Sequence, residues 1–397
     1  MSDDSTTRGV LRPRGAHPGV GAIELFFDLV YVFAIIQLSH FLLEELTWEQ
    51  ALRTGVLFAA VWWGWNYTAW AMNWLDPEHV VVRCLLAVLM LAALVMAVAI
   101  PEAFTEHAGL FVGAYLFLQL VRSLFMVYAF RRDPVMRRNY TQLLAWSVIA
   151  GAVWVLGAVL PDDVRLIVWL VAVLIDYAAP RLGFWLPGVG ASDMSTWPLA
   201  EGHLAERNRL VFIIALGESI LILGTTLGGL DWTPAVTAAT VVGFSTILLL
   251  WWLYFSYRLG NAEHEEAPTV EATRQARGAY AYAHALMVGG AIVVAVGIEL
   301  VLAHPGDRAG WATAAVILGG PAIYLIGNII FNMSRYGRTA RSRMVALAAL
   351  AVLLPIAPRL PALVVGILVL AVLAVLGAAT GELRSHDDEV GIGDTAR

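Results

Sequence analysis

The residues best suited to chemistry are acids embedded in apolar sequence. In ELFFDLVYVFAIIQLSHFLL, residues 24–43, Glu24 and Asp28 stand four positions apart, which puts both on one face of a helix. Glu218 interrupts a second apolar run, LGESILILGT, and is followed by Ser219. Arg122 in QLVRSLF, Asp176 in LIDYAAPR and His284 in YAYAHAL complete the ionisable set, and Asn66, Gln119 and Asn328 add neutral polar groups. At mid-helix in a bilayer a charge costs roughly 2.5–3.5 kcal/mol on insertion scales. Acids that persist there either pair with a buried cation or exchange a proton or small cation with something that passes. Asp28 and Glu218 are the candidates for the second task, with Arg122 and His284 placed to tune them by charge.

Each of these residues also has a plainer use. Asp176 is close enough to Arg181 for an end-of-helix ion pair, and Arg122 is near enough to a helix end to snorkel or to neutralise one acid. His284 fits a hydrogen-bonded core position. Glu24, near the start of its helix, would be partly solvated. Trp62 and Trp63, with Trp65, fall mid-helix, and Trp251 and Trp252 fall in a second apolar run. They suit either core packing or an aromatic wall for a cation. Trp70 and Trp74 suit an interfacial belt.

Other chemistries find little support. The nine histidines show no HExxH or paired spacing, so no metal site is expected, and HEE at 264–266 reads as a solvated loop. Ser219 lies in GES and lacks a GxSxG frame. No GxxxxGK[ST] is present, so ATP-driven transport by this chain alone is not indicated. No cofactor and no nucleic-acid partner is expected.

The elements that must hold these residues follow from composition. The chain has 397 residues, 59% hydrophobic and 14% charged, against roughly 25% charged in an ordinary soluble domain. With a mean hydropathy of +0.73 it reads as an all-α, polytopic membrane bundle with membrane lipids as partners, and an oligomer is compatible with it. The single cysteine, Cys84, rules out an intrachain disulfide. At 1.5 Å per residue about 20 apolar residues cross the hydrocarbon. Twelve segments approach that length: 22–43, 51–72, 83–101, 109–130, 140–160 and 164–182, then 208–230, 235–257, 277–303, 311–333, 342–357 and 361–380. The first reads as a retained span rather than a cleaved signal.

Every basic residue apart from histidine is Arg. All but Arg53, Arg165, Arg308, Arg359 and the mid-helix Arg122 fall on one side of these spans, among them Arg8, Arg12 and Arg14, the RRDPVMRR turn and RYGRTARSR. Arg-rich loops stay cytoplasmic, so both termini are expected inside. Two halves also echo each other. Asp28 aligns with Glu218, Trp62-Trp63 with Trp251-Trp252, and AVAIPE with VAVGIE. The expected organisation is a cytoplasmic tail (1–20), a six-helix repeat (21–183), a linker (184–206), a second parallel repeat (207–380) and a disordered cytoplasmic tail (381–397).

ELFFDLVYVFAIIQLSH, WWGWNYTAW with NWLDP, ERNRLVFIIALGESIL and YAYAHALMVGGAIVVAVGIEL resemble, in content and order, the bacterial low temperature requirement A (LtrA) family. The likeness covers roughly residues 20 to 335. It implies an integral protein of the bacterial inner membrane, of a family named for a cold-growth phenotype. It also implies signature positions at Glu24, Asp28, Arg207, Glu218 and Ser219. A weaker similarity runs to potassium channels whose first helix opens with Arg…Phe-Ser-Asp. Here Phe26-Phe27-Asp28 is similar, with Phe27 in place of Ser and no preceding Arg. The six-plus-six layout is similar to major facilitator transporters, although WLDPEHVVVR stands where their basic loop would be. The leading expectation is a transporter or channel in which Asp28 and Glu218 bind a small cation or exchange a proton near the repeat interface. The alternatives are a non-transporting sensor or scaffold acting in the cold, and a membrane enzyme acting on lipid.

Overall fold

The structure, a computed structural model, describes residues 9–12, 19–192, 197, 201–256, 279–336 and 340–393, with residues 201, 256, 279, 335, 336 and 381–393 as backbone only. The HEE run at 264–266 and Arg8, Arg14, Arg258, Arg274, Arg277, Arg338 and Arg397 lie outside the described residues.

Among the described residues the chain is all-α, with isolated bridges but no strand. The helices are α1 (Ala22–Glu44), α2 (Trp48–Ala71), α3 (Val80–Val98), α4 (Ala108–Ala129), α5 (Pro134–Val159), α6 (Asp162–Ala178), α7 (Glu201–Gly228), α8 (Pro234–Ser256), α9 (His284–Ala303), α10 (Gly310–Tyr336), α11 (Arg341–Leu353) and α12 (Ala362–Gly393). Local chemistry sets several starts. Thr47 Oγ1 accepts from Gln50 N at 3.1 Å ahead of α2. Asp133 accepts from the backbone of Val135 and Met136 ahead of Pro134 in α5. Glu24 reaches back to accept from Gly21 N at 2.8 Å at the head of α1.

Nine of these helices are long and apolar enough to cross a membrane. The other three depart from the twelve expected spans for distinct reasons. α6 has 17 residues and α11 has 13, the latter rising only about 20 Å before the turn that leads to Pro361. α2 is long enough, but its Trp, Asn, Thr and Gln content lowers its hydropathy. Two expected boundaries also move. α7 begins at Glu201, inside the expected linker, and α12 continues through residues expected to form a disordered tail.

The chain divides into two compact units, Met1–Ile214 and Ala215–Arg397. In the first, α2 is the central helix, buried at every position from Ala60 to Ala71. A helix buried all round belongs in the middle of a bundle. It packs against α1, α4 and α6, while α1 meets α3, α3 meets α4, α4 meets α5, and α5 meets α6. α5 and α6 close tightly at Gly157, where a Cβ would stand 2.4 Å from the Trp169 ring. Leu29, Leu91, Leu124 and Leu174 face outward, as lipid contact requires.

In the second unit α9 and α10 form the tightest pair. A Cβ on Gly290 would lie 2.6 Å from Tyr324 N, one on Gly320 2.7 Å from Val294 N, and one on Gly327 2.7 Å from the Ala283 carbonyl oxygen. Gly290 on α9 and Gly320 and Gly327, seven apart on α10, thus let backbone touch backbone, the close packing that helices use where lipid supplies no hydrophobic drive. α8 packs on α9 and α12, and α11 on α10 and α12.

Candidate functional site

Two buried polar assemblies occupy the first unit. The first joins α1 to the start of α7. Arg207 Nη1 donates to Glu24 Oε1 at 2.9 Å and its Nη2 donates to Asp28 Oδ1 at 2.5 Å. Trp65 Nε1, from α2, donates to the same Asp28 oxygen at 2.7 Å, and the Arg207 guanidinium lies 5.8 Å from the Trp65 ring centroid. His203 Nε2 stands 2.9 Å from Glu24 Oε1. Arg12, from the segment before α1, places Nη2 3.3 Å from Glu24 Oε2. The spacing explains the fit: Glu24 and Asp28 are four apart on α1, His203 and Arg207 four apart on α7, so two faces of matching pitch meet.

This assembly balances two carboxylates with two guanidinium groups. Its side chains on Glu24, His203, Asp28 and Arg207 have no exposure, and Arg12 retains 13%. Glu24 is therefore fully buried, not partly solvated, because Arg12 and the loop after α2 cover the head of α1. Asp28 Oδ2, Tyr31 Oη and Arg207 Nε remain without a hydrogen-bond partner among the described residues.

The second assembly lies along one face of α4, where Tyr115, Gln119 and Arg122 recur at helical spacing. Arg122 donates to Gln119 Oε1. Gln119 Nε2 donates to Tyr115 Oη at 2.9 Å, and Tyr115 Oη donates to Asp176 Oδ2 at 2.8 Å. Trp154 Nε1 donates to that same oxygen at 2.9 Å. Every donor points from the guanidinium toward the carboxylate, so Arg122 and Asp176 are coupled through an amide and a phenol rather than by direct contact. Arg122 also reaches the Gly64 carbonyl and Thr68 Oγ1, each at 3.4 Å, on α2. The expected alternative for Asp176, a pair with Arg181, gives way to Tyr115 and Trp154.

In the second unit Glu218 is 2% exposed, and its Oε2 has no hydrogen-bond partner among the described residues. Ser219 Oγ turns back to the Ala215 carbonyl at 3.5 Å. His284 is fully buried, 3.0 Å from Tyr254 Oη, in a nest of Tyr280 and Phe331 rings. Those contacts match a packed core histidine.

The remaining expected residues separate by environment. Asn66 is buried, with Nδ2 unpartnered among the described residues. Trp62 and Trp63 are buried, with Trp63 stacked on Tyr177 at 4.0 Å. Trp251 and Trp252 are 40% and 47% exposed, so they line no interior. An apolar cavity lies in the second unit. It measures about 30 Å³ and lies among Val242, Val294, Ile317 and Val369.

His203, Tyr115, Trp154 and the role of Arg12 were not among the residues expected from the sequence. The four-residue spacing of His203 and Arg207, echoing Glu24 and Asp28, was the available signal for the first. Tyr115 and Trp154 carried none beyond being polar-tipped aromatics in apolar runs.

Compared with known proteins, residues 19–378 match the family model described as Bacterial low temperature requirement A protein (LtrA). A protein of Rhizobium meliloti (strain 1021), named Uncharacterized protein RA0937, is 39% identical over 308 residues, covering 77% of this chain and 75% of its own. No solved structure matches the chain.

Proposed function

Since this chain belongs to the bacterial low temperature requirement A (LtrA) family and carries many membrane-length helices, we propose that it moves a small cation, or a solute coupled to protons, across the bacterial inner membrane. In this reading both termini are cytoplasmic, as the arginine-rich loops suggest, and two parallel six-helix repeats each contribute one acid, Asp28 and Glu218. Glu24, Asn66, Arg122, Asp176, Ser219 and His284 are the further polar groups assigned to the pathway.

The observation that carries the reading is Glu218. Glu24, Asp28 and Asp176 each receive donors from the protein, whereas Glu218 Oε2 receives none among the described residues. A carboxyl group buried this way is neutral only with a proton or a visiting cation on it. Arg207, in turn, holds Asp28 as an internal cation would, which keeps that acid closed until its guanidinium is displaced.

The test is flux in proteoliposomes, ion by ion, with Glu218→Gln as the primary variant because Glu218 Oε2 has no hydrogen-bond partner to lose among the described residues. Loss of a flux that the wild type shows, with unchanged size-exclusion behaviour, supports the proposal. Wild-type flux in Glu218→Gln rejects it.

One observation favours a second reading, a sensor or scaffold without transport. The cluster of Glu24, Asp28, Arg207 and Arg12 is charge-balanced and almost wholly buried, as a structural staple would be. That reading expects no gradient dissipation by the wild type. The lipid-enzyme alternative draws no geometric support, since Ser219 Oγ is bonded to its own helix.

A further inference from the structure

Arg12 differs from the rest of its cluster. It belongs to a short segment, Gly9–Arg12, that lies against the loop after α2. Leu11 bridges to Leu75, Arg12 N donates to the Trp74 carbonyl at 2.8 Å, and Asp76 N donates to the Val10 carbonyl at 3.0 Å. From this arm the Arg12 side chain enters the bundle. Its Nε donates to the Met72 carbonyl at 3.1 Å and its Nη2 to Glu24 Oε2 at 3.3 Å, beside His203 Nε2 at 3.3 Å.

The two oxygens of Glu24 have separate partners. Oε1 is held by Arg207 and His203, both within α7, while Oε2 is held by Gly21 N and Arg12. Arg207 cannot leave without moving α7. Arg12 can leave if the arm peels away, and it alone in the cluster has exposure. Its departure would leave Glu24 and Asp28 facing a single guanidinium, with one negative charge unbalanced. It would also vacate a seat lined by a carbonyl and a carboxylate oxygen, acceptors spaced for a planar N–H fork.

We propose that the seat of Arg12 is a binding site for a small guanidinium- or ammonium-bearing molecule, and that the arm occupies it as an internal ligand. The site sits at Glu24 Oε2 and the Met72 carbonyl. The proposal rests on reading Glu24 and Asp28 as cation-receiving acids, but requires no flux. Binding without flux would defeat transport alone, and flux without binding would defeat this site alone.

The test is chemical rescue in the full-length protein in detergent, followed by thermal unfolding. Arg12→Ala should lower Tm. Guanidinium or methylammonium chloride, at concentrations that leave wild-type Tm unchanged, should restore it saturably, while sodium chloride of equal ionic strength should not. Glu24→Gln combined with Arg12→Ala should abolish the rescue. A folded Arg12→Ala protein with no saturable response to either probe, or with the same response after Glu24→Gln, overturns the site. If Arg12→Ala does not fold, the wild type carries the test by hydrogen exchange. Higher guanidinium should speed exchange at the Arg12 and Asp76 amides ahead of the Trp65 and Gly64 amides of α2. Unchanged exchange at those two amides overturns it.

Discussion

Arg207 and Asp28 meet inside the first unit across 179 positions of sequence, Nη2 to Oδ1 at 2.5 Å, with neither side chain exposed. The pair joins α7 to α1 at the level where Trp65 of α2 makes its own bond to the same carboxylate, so three helices converge on one oxygen.

Removing one side of this pair should cost far more than removing both. Arg207→Met leaves Glu24 and Asp28 short of a counter-charge in a dry interior, at a cost of about 3–5 kcal/mol. Adding Asp28→Leu should recover part of that loss, because the stranded acid is gone. Unfolding of the single and double variants in mixed detergent checks this, and a double variant less stable than Arg207→Met contradicts it.

Tyr115 and Trp154 converge on Asp176 Oδ2, so their deletions should not add. Tyr115→Phe and Trp154→Phe each remove one donor, costing about 1–3 kcal/mol. Together they leave the carboxylate oxygen bare, and the double variant should lose more than the sum of the two. A double-mutant cycle by thermal or denaturant unfolding measures the difference. Strict additivity would mean Asp176 does not depend on the two donors jointly.

The α9–α10 contact admits no side chain at Gly290, Gly320 or Gly327. Gly290→Ala places a methyl 2.6 Å from a backbone nitrogen that cannot swing away. It should destabilise by about 1–3 kcal/mol, as overpacking does. Gly55→Ala, on α2 with nothing within 4 Å, should be neutral or stabilise by up to about 1 kcal/mol. The same unfolding assay on both variants tests the contrast.

The expected orientation can be read with thiol labelling, because the chain has a single cysteine to remove. In a Cys84→Ser background, Glu78→Cys in the exposed turn before α3 should react with an impermeant maleimide only in inverted vesicles. Glu106→Cys, exposed ahead of α4, should react only in intact cells stripped of outer membrane. The reverse pattern would place the amino terminus outside.

By itself the sequence determined that the chain is a helical membrane protein, where most of its helices run, and that Glu24 and Asp28 share a face. Each of these depends on local periodicity and composition, which a linear chain displays directly. It placed a helix at 51–72, where α2 runs, although the tryptophans and amides of α2 lower its hydropathy; hydropathy scores contact with lipid, and this helix is buried by protein. It placed His203 in a linker because a polar stretch looks the same whether it ends in solvent or folds back over a buried acid. Only the tertiary structure decided that Asp28 answers to Arg207, that Asp176 answers to Tyr115 and Trp154 rather than to nearby Arg181, and that Arg12 closes the head of α1. Which charges meet is set by how distant helices pack, and in a low-dielectric interior that choice separates a satisfied acid such as Asp176 from one whose Oε2 has no donor, as in Glu218.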